Sequence, residues 1–398
     1  MRRVFTMAAV LMLLGCFALC AFAAEDAMLA GVDGALVAVS FRGDTDAAAP
    51  NSLKAIEAAF NLGADWVSVS VQRTQDGAFV LLEDAPLPHQ LDTDRSAAAD
   101  CELAELQALH YRNANGTVSD EPVATLEQAL ALAAGRGGLI LDNAWAFRDE
   151  INALIGSRSV AVPVCLRTLD SAKKALQWSS AADCVLGVLP VYDGNVVFNA
   201  IAHWNYLSTA KQPLAQFQSK NYFNVFYQKF TDKHFGTTFA TAALAPTYDP
   251  DLCGQRSDDA VGWDDLISRG FSAIETGNIR GLAAYIAQCA AEREALAALR
   301  WPGDYPELSD YSDASAARYL EAKTAADEAF LNGRASLSQL QDAESALRTA
   351  QRQLVPAGEK DTQKGSFNLT GGKIAVIVIF GALLLGFDVF VYKKKKKT

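Results

Sequence analysis

From residue 35 to about 291, short apolar runs alternate with segments whose apolar residues recur at helical spacing. Residues 35–39 form a continuous apolar run, as a strand buried on both faces does. Residues 51–62 place Leu53, Ile56, Ala59 and Phe60 on one helical face. Strands are expected at 66–71, 79–82, 139–141, 162–166, 184–189, 223–226, 240–244 and 272–274. Helices are expected at 103–109, 126–134, 263–268 and from Leu282 onward. This repetition predicts an α/β fold, a TIM-type (β/α)8 barrel, over residues 32–295. A doubly wound open sheet fits less well, because no glycine-rich phosphate loop opens the first helix.

Beyond the barrel the pattern changes. Residues 300–313 are rich in Pro, Gly, Asp and Tyr and read as a linker. Two helices, 314–331 and 336–354, are broken at Asn332-Gly333, and together 314–355 reads as an α-helical hairpin spacer. Ser336 and Gln339 have capping-box spacing, and Leu337, Leu340, Leu347 and Leu354 form one apolar stripe. Residues 356–373 read as a polar stalk.

Residues 374–392 then run apolar with one charge, Asp388, and Lys393 to Lys397 follow directly. As a helix this run spans roughly 28 Å, close to the hydrocarbon thickness of a bilayer. It is expected to be a transmembrane helix, with the 393–398 lysine tail cytoplasmic and the bulk of the chain extracellular. At the other end, Arg2 and Arg3, an apolar run and Ala21, Ala23 and Ala24 give residues 1–24 the form of a signal peptide. Leu13-Leu14-Gly15-Cys16 also loosely fits a lipid-attachment site, although the chain stays apolar after Cys16. The expected location is the cell membrane, single-pass.

The 398 residues carry a formal net charge of −11, and without the terminal lysines the remainder is more acidic still. Nucleic-acid binding relies on clustered basic residues, so such a partner is not expected. Of the seven cysteines, Cys101, Cys165, Cys184, Cys253 and Cys289 lie beyond the leader. Their spacing matches no zinc or redox motif, leaving buried thiols or one incidental disulfide.

In a β/α barrel, chemistry sits at the C-terminal ends of the strands. At such ends the chain reads Val39-Ser40-Phe41-Arg42-Gly43, Pro50-Asn51-Ser52-Leu53 and Gly63-Ala64-Asp65-Trp66-Val67-Ser68-Val69-Ser70-Val71. Thr74, Asp76-Gly77, Val80-Leu81-Leu82-Glu83-Asp84, Pro122 and Thr125-Leu126-Glu127 follow in order. This frame resembles the glycerophosphodiester phosphodiesterase family, whose pattern runs H-R-G, P-E-N-[ST]-L, E-x-D and V-x-x-H-D, over about 260 residues.

The resemblance implies a phosphoric diester hydrolase of lipid metabolism. In that family two histidines act as acid and base, and carboxylates hold a divalent metal. Here Phe41 and Glu83 stand at the two histidine positions, and Ser68 and Ser70 at two metal-ligand positions. Arg42 is kept as the phosphate-pairing residue. Asp142 falls at the third metal carboxylate, with Asp84 a further metal candidate. No catalytic residue is therefore assigned.

The expected function is a non-catalytic, pseudoenzyme barrel that binds a glycerophosphodiester, another phosphate-bearing ligand or a partner. An active hydrolase with a remodelled site, using Mg²⁺ or Ca²⁺, is the alternative, and a structural surface ectodomain is the third. A remodelled site could draw on His89, His110, His203 or His234 as base. Its metal could come from a carboxylate set of Asp44, Asp46, Glu83, Asp84 and Asp142. The aromatic stretches 203–206 and 222–230 could cover the barrel end.

Overall fold

A strand buried on both faces must be apolar at consecutive positions, and eight segments of this chain meet that requirement around one closed sheet. The computed structural model describes residues 35–83, 86–158, 162–181, 183–192, 214–217, 242–268, 271–300, 307–359 and 361. The barrel strands are β1 (Val37–Phe41), β2 (Trp66–Ser70), β7 (Gly138–Asp142), β8 (Val164–Thr168), β9 (Gly187–Tyr192), β10 (Leu214–Phe217), β11 (Ala242–Pro246) and β12 (Ala273–Thr276). They are all parallel, and β1 closes the ring by pairing with β12 on one side and β2 on the other.

Helices cover the outside of the ring. Ser52 caps Leu53–Asn61 by accepting from the Ala55 amide at 3.2 Å. Thr125 and Gln128 form a reciprocal capping box on Leu126–Ala133. Arg148–Gly156, Ala172–Ser179, Ala260–Ser268 and Ile279–Arg300 complete the helices described around the barrel.

Between β2 and Leu126–Ala133 the chain leaves the ring. Here β3 (Gln72–Arg73) pairs antiparallel with β4 (Phe79–Val80), and β5 (His110–Arg112) with β6 (Val118–Pro122). The apolar run at 79–82 is therefore not a barrel strand. Asp76-Gly77 turns it back on β3, and Val80 and Leu82 build a separate core with Leu87, Leu91, Leu106 and Tyr111. The Tyr111 hydroxyl joins that core to the ring side, donating to Leu81 O at 2.8 Å and accepting from Ala124 N at 3.0 Å. A second difference is β10, which falls inside a stretch that reads as an irregular insertion. The strand expected at 223–226 lies outside the described residues.

One compact unit comprises Met1–Pro302 and Thr324–Ala346, the other Gly303–Lys323 and Leu347–Thr398, each through its described residues. Two helices, Asp313–Leu331 and Leu337–Arg352, cross the boundary between these units. Gln339 N donates to Ser336 Oγ while Ser336 N donates to Gln339 Oε1, so this helix start is capped from both sides. Among the described residues no helix is long and apolar enough to cross a membrane. The leader at 1–24, the stalk beyond 361, the apolar run 374–392 and the lysine tail lie outside the described residues.

The lower interior of the barrel is an apolar floor of Val37, Val39, Trp66, Ile140, Cys165, Leu189, Leu244 and Ala273. Trp66 is the largest of these, and the neighbouring strand makes room for it with Gly138. A Cβ at Gly138 would stand 2.3 Å from the indole ring, far inside contact distance. Gly138→Ala is expected to cost about 2–3 kcal/mol, the scale of overpacking a filled core, read as a lower midpoint in denaturant unfolding. An unchanged midpoint would mean that Trp66 moves aside freely.

Candidate functional site

Above this floor the inward positions turn polar. Register places them at the C-terminal strand ends: Phe41 on β1 opposite Ser68 on β2, and Ser70 on β2 opposite Asp142 on β7. Arg167 lies one residue before the end of β8, and Glu275 one residue before the end of β12. Tyr248 follows β11 by two residues.

Two arrangements fill this layer. The first is a stack at the rim. The Phe41 ring lies face to face with Tyr248, centroids 3.6 Å apart and planes 2° from parallel. The guanidinium of Arg42 also lies over the Phe41 ring, 4.3 Å from its centroid. Arg42 Nη1 then pairs with Glu83 Oε1 at 2.5 Å.

Local structure sets these positions. Arg42 has φ +62°, and Gly43 follows at φ +88°, where a Cβ would meet the Ala55 carbonyl carbon at 2.5 Å. Arg42 N donates to Ser68 O at 2.8 Å and Asn51 N donates to Arg42 O at 3.0 Å, which holds the turn. Asn51 Oδ1 in turn accepts from Ser70 N at 3.0 Å. Glu83 is held through its backbone by Gln90, whose amide accepts from Glu83 N at 2.7 Å and donates to Glu83 O at 3.0 Å. Gln72 Nε2 donates to the same carbonyl.

The second arrangement is a charge triad inside the barrel. Arg167 Nη2 donates to Glu275 Oε1 at 2.6 Å, and its Nη1 donates to Asp142 Oδ2 at 3.4 Å. Arg167 Nε also faces Asp142 Oδ1 at 3.2 Å, and Nη1 reaches the Tyr248 hydroxyl at 3.4 Å. Glu275 is fully buried, and its Oε2 has no hydrogen-bond partner among the described residues. Burial pushes the Asp142 carboxyl up to about 6; Arg167 pulls it down, Glu275 pushes it up and Arg42 pulls it down. Burial is also the main cause that raises the Tyr248 phenol well above its ordinary range.

A network below the rim fixes the ends of β11 and β12. The Asp258 carboxylate accepts from Thr247 Oγ1, Thr276 Oγ1, Trp263 Nε1 and Gly277 N, all within 2.6–2.9 Å. Thr247 N also donates to Glu275 O at 2.7 Å, so Tyr248 and Glu275 sit on one braced corner.

Several residues expected near the mouth are engaged elsewhere. Ser68 and Ser70 are buried, and the Ser68 hydroxyl donates to Ser40 O at 3.4 Å. Asp44 is buried and pairs with Arg280 at 2.5 Å, while Asp46 is exposed. His89 is exposed, and His110 stands 3.8 Å from Asp92. The five cysteines beyond the leader are free thiols. Among the described residues no three His, Cys, Asp or Glu gather as a metal-holding group. Asp84, His203, His234 and the aromatic stretches 203–206 and 222–230 lie outside the described residues.

Asp142 carries the pH dependence of this layer. Its carboxyl titrates higher folded than unfolded, so the folded chain holds the extra proton between pH 4 and 6. That contribution to stability is present at acid pH and is lost as pH rises through about 6. Against Asp142→Asn, the wild type is expected to lose up to about 3 kcal/mol between pH 4 and 7. Denaturant unfolding of both proteins across this range checks it, and parallel profiles would remove Asp142 as the titrating group.

Residues 42–182 match the model of the glycerophosphoryl diester phosphodiesterase family. No curated protein matches the chain. Among solved structures, a putative glycerophosphodiester phosphodiesterase from Galdieria sulphuraria is 11% identical, with 63% of this chain and 98% of that chain covered and a TM-score of 0.47. An Oleispira antarctica phosphodiesterase, solved in complex with the product sn-glycerol-3-phosphate, is 18% identical, with 62% and 95% covered and a TM-score of 0.47. A glycerophosphoryl diester phosphodiesterase from Parabacteroides distasonis is 17% identical, with 67% of this chain and 92% of that chain covered and a TM-score of 0.53. This chain shares its fold with the Parabacteroides protein.

Proposed function

We propose that this chain is an exported, membrane-anchored barrel of glycerophosphodiester phosphodiesterase type that binds a phosphate-bearing ligand without hydrolysing it. One observation carries the non-hydrolytic part. The rim positions where the resembling family has its proton-transfer histidines hold a closed series, Tyr248 on Phe41, Arg42 over Phe41, and Glu83 on Arg42. A positioned general acid or base contributes roughly 10²–10⁴ in rate, and the Phe41 ring can neither give nor take a proton. Glu83 is a carboxylate, but its pairing with Arg42 at 2.5 Å commits it to neutralising a cation.

Arg42 supports the binding part. Its side chain is partly exposed at the rim, and its Nε has no hydrogen-bond partner among the described residues. A phosphate group presents several strong acceptors to the planar guanidinium fork, where the Glu83 carboxylate presents two. Binding therefore exchanges Glu83 for the phosphate, and affinity is reduced by the cost of breaking that pair. Anchoring rests on the apolar run 374–392 and the lysines after it.

Full-length protein in detergent, incubated with glycerophosphodiesters and Mg²⁺ or Ca²⁺, is expected to release no glycerol phosphate. Glycerol 3-phosphate is expected to raise the melting temperature, and Arg42→Ala to abolish the rise. Metal-dependent turnover would overturn the reading in favour of a remodelled hydrolase. Neither turnover nor a shift would leave a structural ectodomain.

A further inference from the structure

We infer that Arg167 is a tethered cation standing where a divalent ion would stand between Asp142 and Glu275, and that removing its charge exposes a latent calcium site. The topology carries the first step. In the ring order β1-β12-β11-β10-β9-β8-β7-β2, strands β8 and β12 are four places apart and therefore diametrically opposed. A side chain rooted on β8 that touches a carboxylate on β12 must cross the barrel axis. Arg167 does so, reaching Glu275 at 2.6 Å while its Nε stays 3.2 Å from Asp142 on the adjacent strand. The guanidinium thus lies on the axis, directly above the apolar floor.

The second step is ligand chemistry. Calcium takes six to eight oxygens at roughly 2.3–2.6 Å, from carboxylates, carbonyls and water. Two carboxylates from opposite walls supply such oxygens, and Tyr248 Oη and the neighbouring serine hydroxyls are neutral. With the guanidinium between the carboxylates an ion does not fit. Glu275 Oε2, fully buried and without a hydrogen-bond partner among the described residues, is an acceptor left over by the monovalent cation. Magnesium demands shorter bonds and near-octahedral geometry, so the wider, more tolerant calcium is the better match for walls set by a barrel.

A plain structural strut across the barrel is the competing reading. Removing one partner of a buried ion cluster destabilises under either reading, so loss of stability alone does not decide. Response to calcium does, and it is read apart from phosphate binding at Arg42 or any turnover.

The test uses full-length protein in detergent, stripped with EDTA and titrated with CaCl₂ by calorimetry and thermal melting. The wild type is expected to be indifferent to calcium and to chelator. Arg167→Gln is expected to bind calcium at least roughly tenfold more tightly than the wild type and to melt higher in its presence, and Asp142→Asn in that background to remove the gain. A calcium-dependent rise in the wild type that Asp142→Asn abolishes would overturn the inference, because ion and guanidinium would then coexist. A folded Arg167→Gln protein indifferent to calcium would overturn it equally. Should Arg167→Gln not fold, Arg167→Gln/Glu275→Gln lowers the buried charge and keeps a carbonyl ligand there. Its calcium response supports the inference and its indifference overturns it.

Discussion

Arg167 reaches Glu275 only because the sheet is closed. Eight short strands bring opposite walls close enough for one arginine to span them, and residues 108 positions apart become partners. An interior of this kind excludes water, so a charge there must meet its counter-charge in place. The apolar floor under the triad supplies that low-dielectric setting, and Trp66 packed against Gly138 keeps the floor solid. The triad is better understood as an arrangement costly to break than as a large net stabiliser.

The rim follows a different logic. Arg42 has left-handed backbone geometry, which costs a residue with a Cβ roughly 1–2 kcal/mol. Its amide and carbonyl are both engaged, and Gly43 allows the next helix to approach. The strained turn aims the guanidinium back over Phe41 instead of outward. Cation–π contact and the Glu83 pair then hold it there. Backbone geometry suited to presenting a cation to a ligand here presents it to the protein's own side chains.

Much of the barrel was legible because strands buried on both faces leave unbroken apolar runs. Val37–Phe41, Trp66–Ser70 and Val164–Thr168 stand within two residues of where the runs predict them. The run at 79–82 misled for the same reason: a core beside the ring demands apolar residues as strongly as the ring does. β10 was missed because Leu-Ala-Gln-Phe is too short and mixed to stand out. At the mouth, ordered motifs located Phe41, Ser68, Ser70 and Asp142 at strand ends, but the identity of each said nothing about what it touches. Arg167, Tyr248 and Glu275 escaped altogether, since each finds its meaning in a partner far away in sequence. A signal was present all the same: Arg167 and Glu275 are charged residues near the ends of otherwise apolar strands, Val-Cys-Leu-Arg-Thr and Ala-Ile-Glu-Thr.

The pairing of β1 with β12 carries a consequence for the order of assembly. The first strand of the ring has no partner on that side until residue 276 has been added, so closure is a late event in the life of each chain. Contacts of such long loop closure form slowly, because chain entropy must be lost before they return any energy. Until that moment Asp142, Arg167 and Glu275 are ordinary solvated charges with no reason to meet. Their association is thus a marker of completed folding, and the electrostatics of the mouth come into being together with the last seam of the sheet.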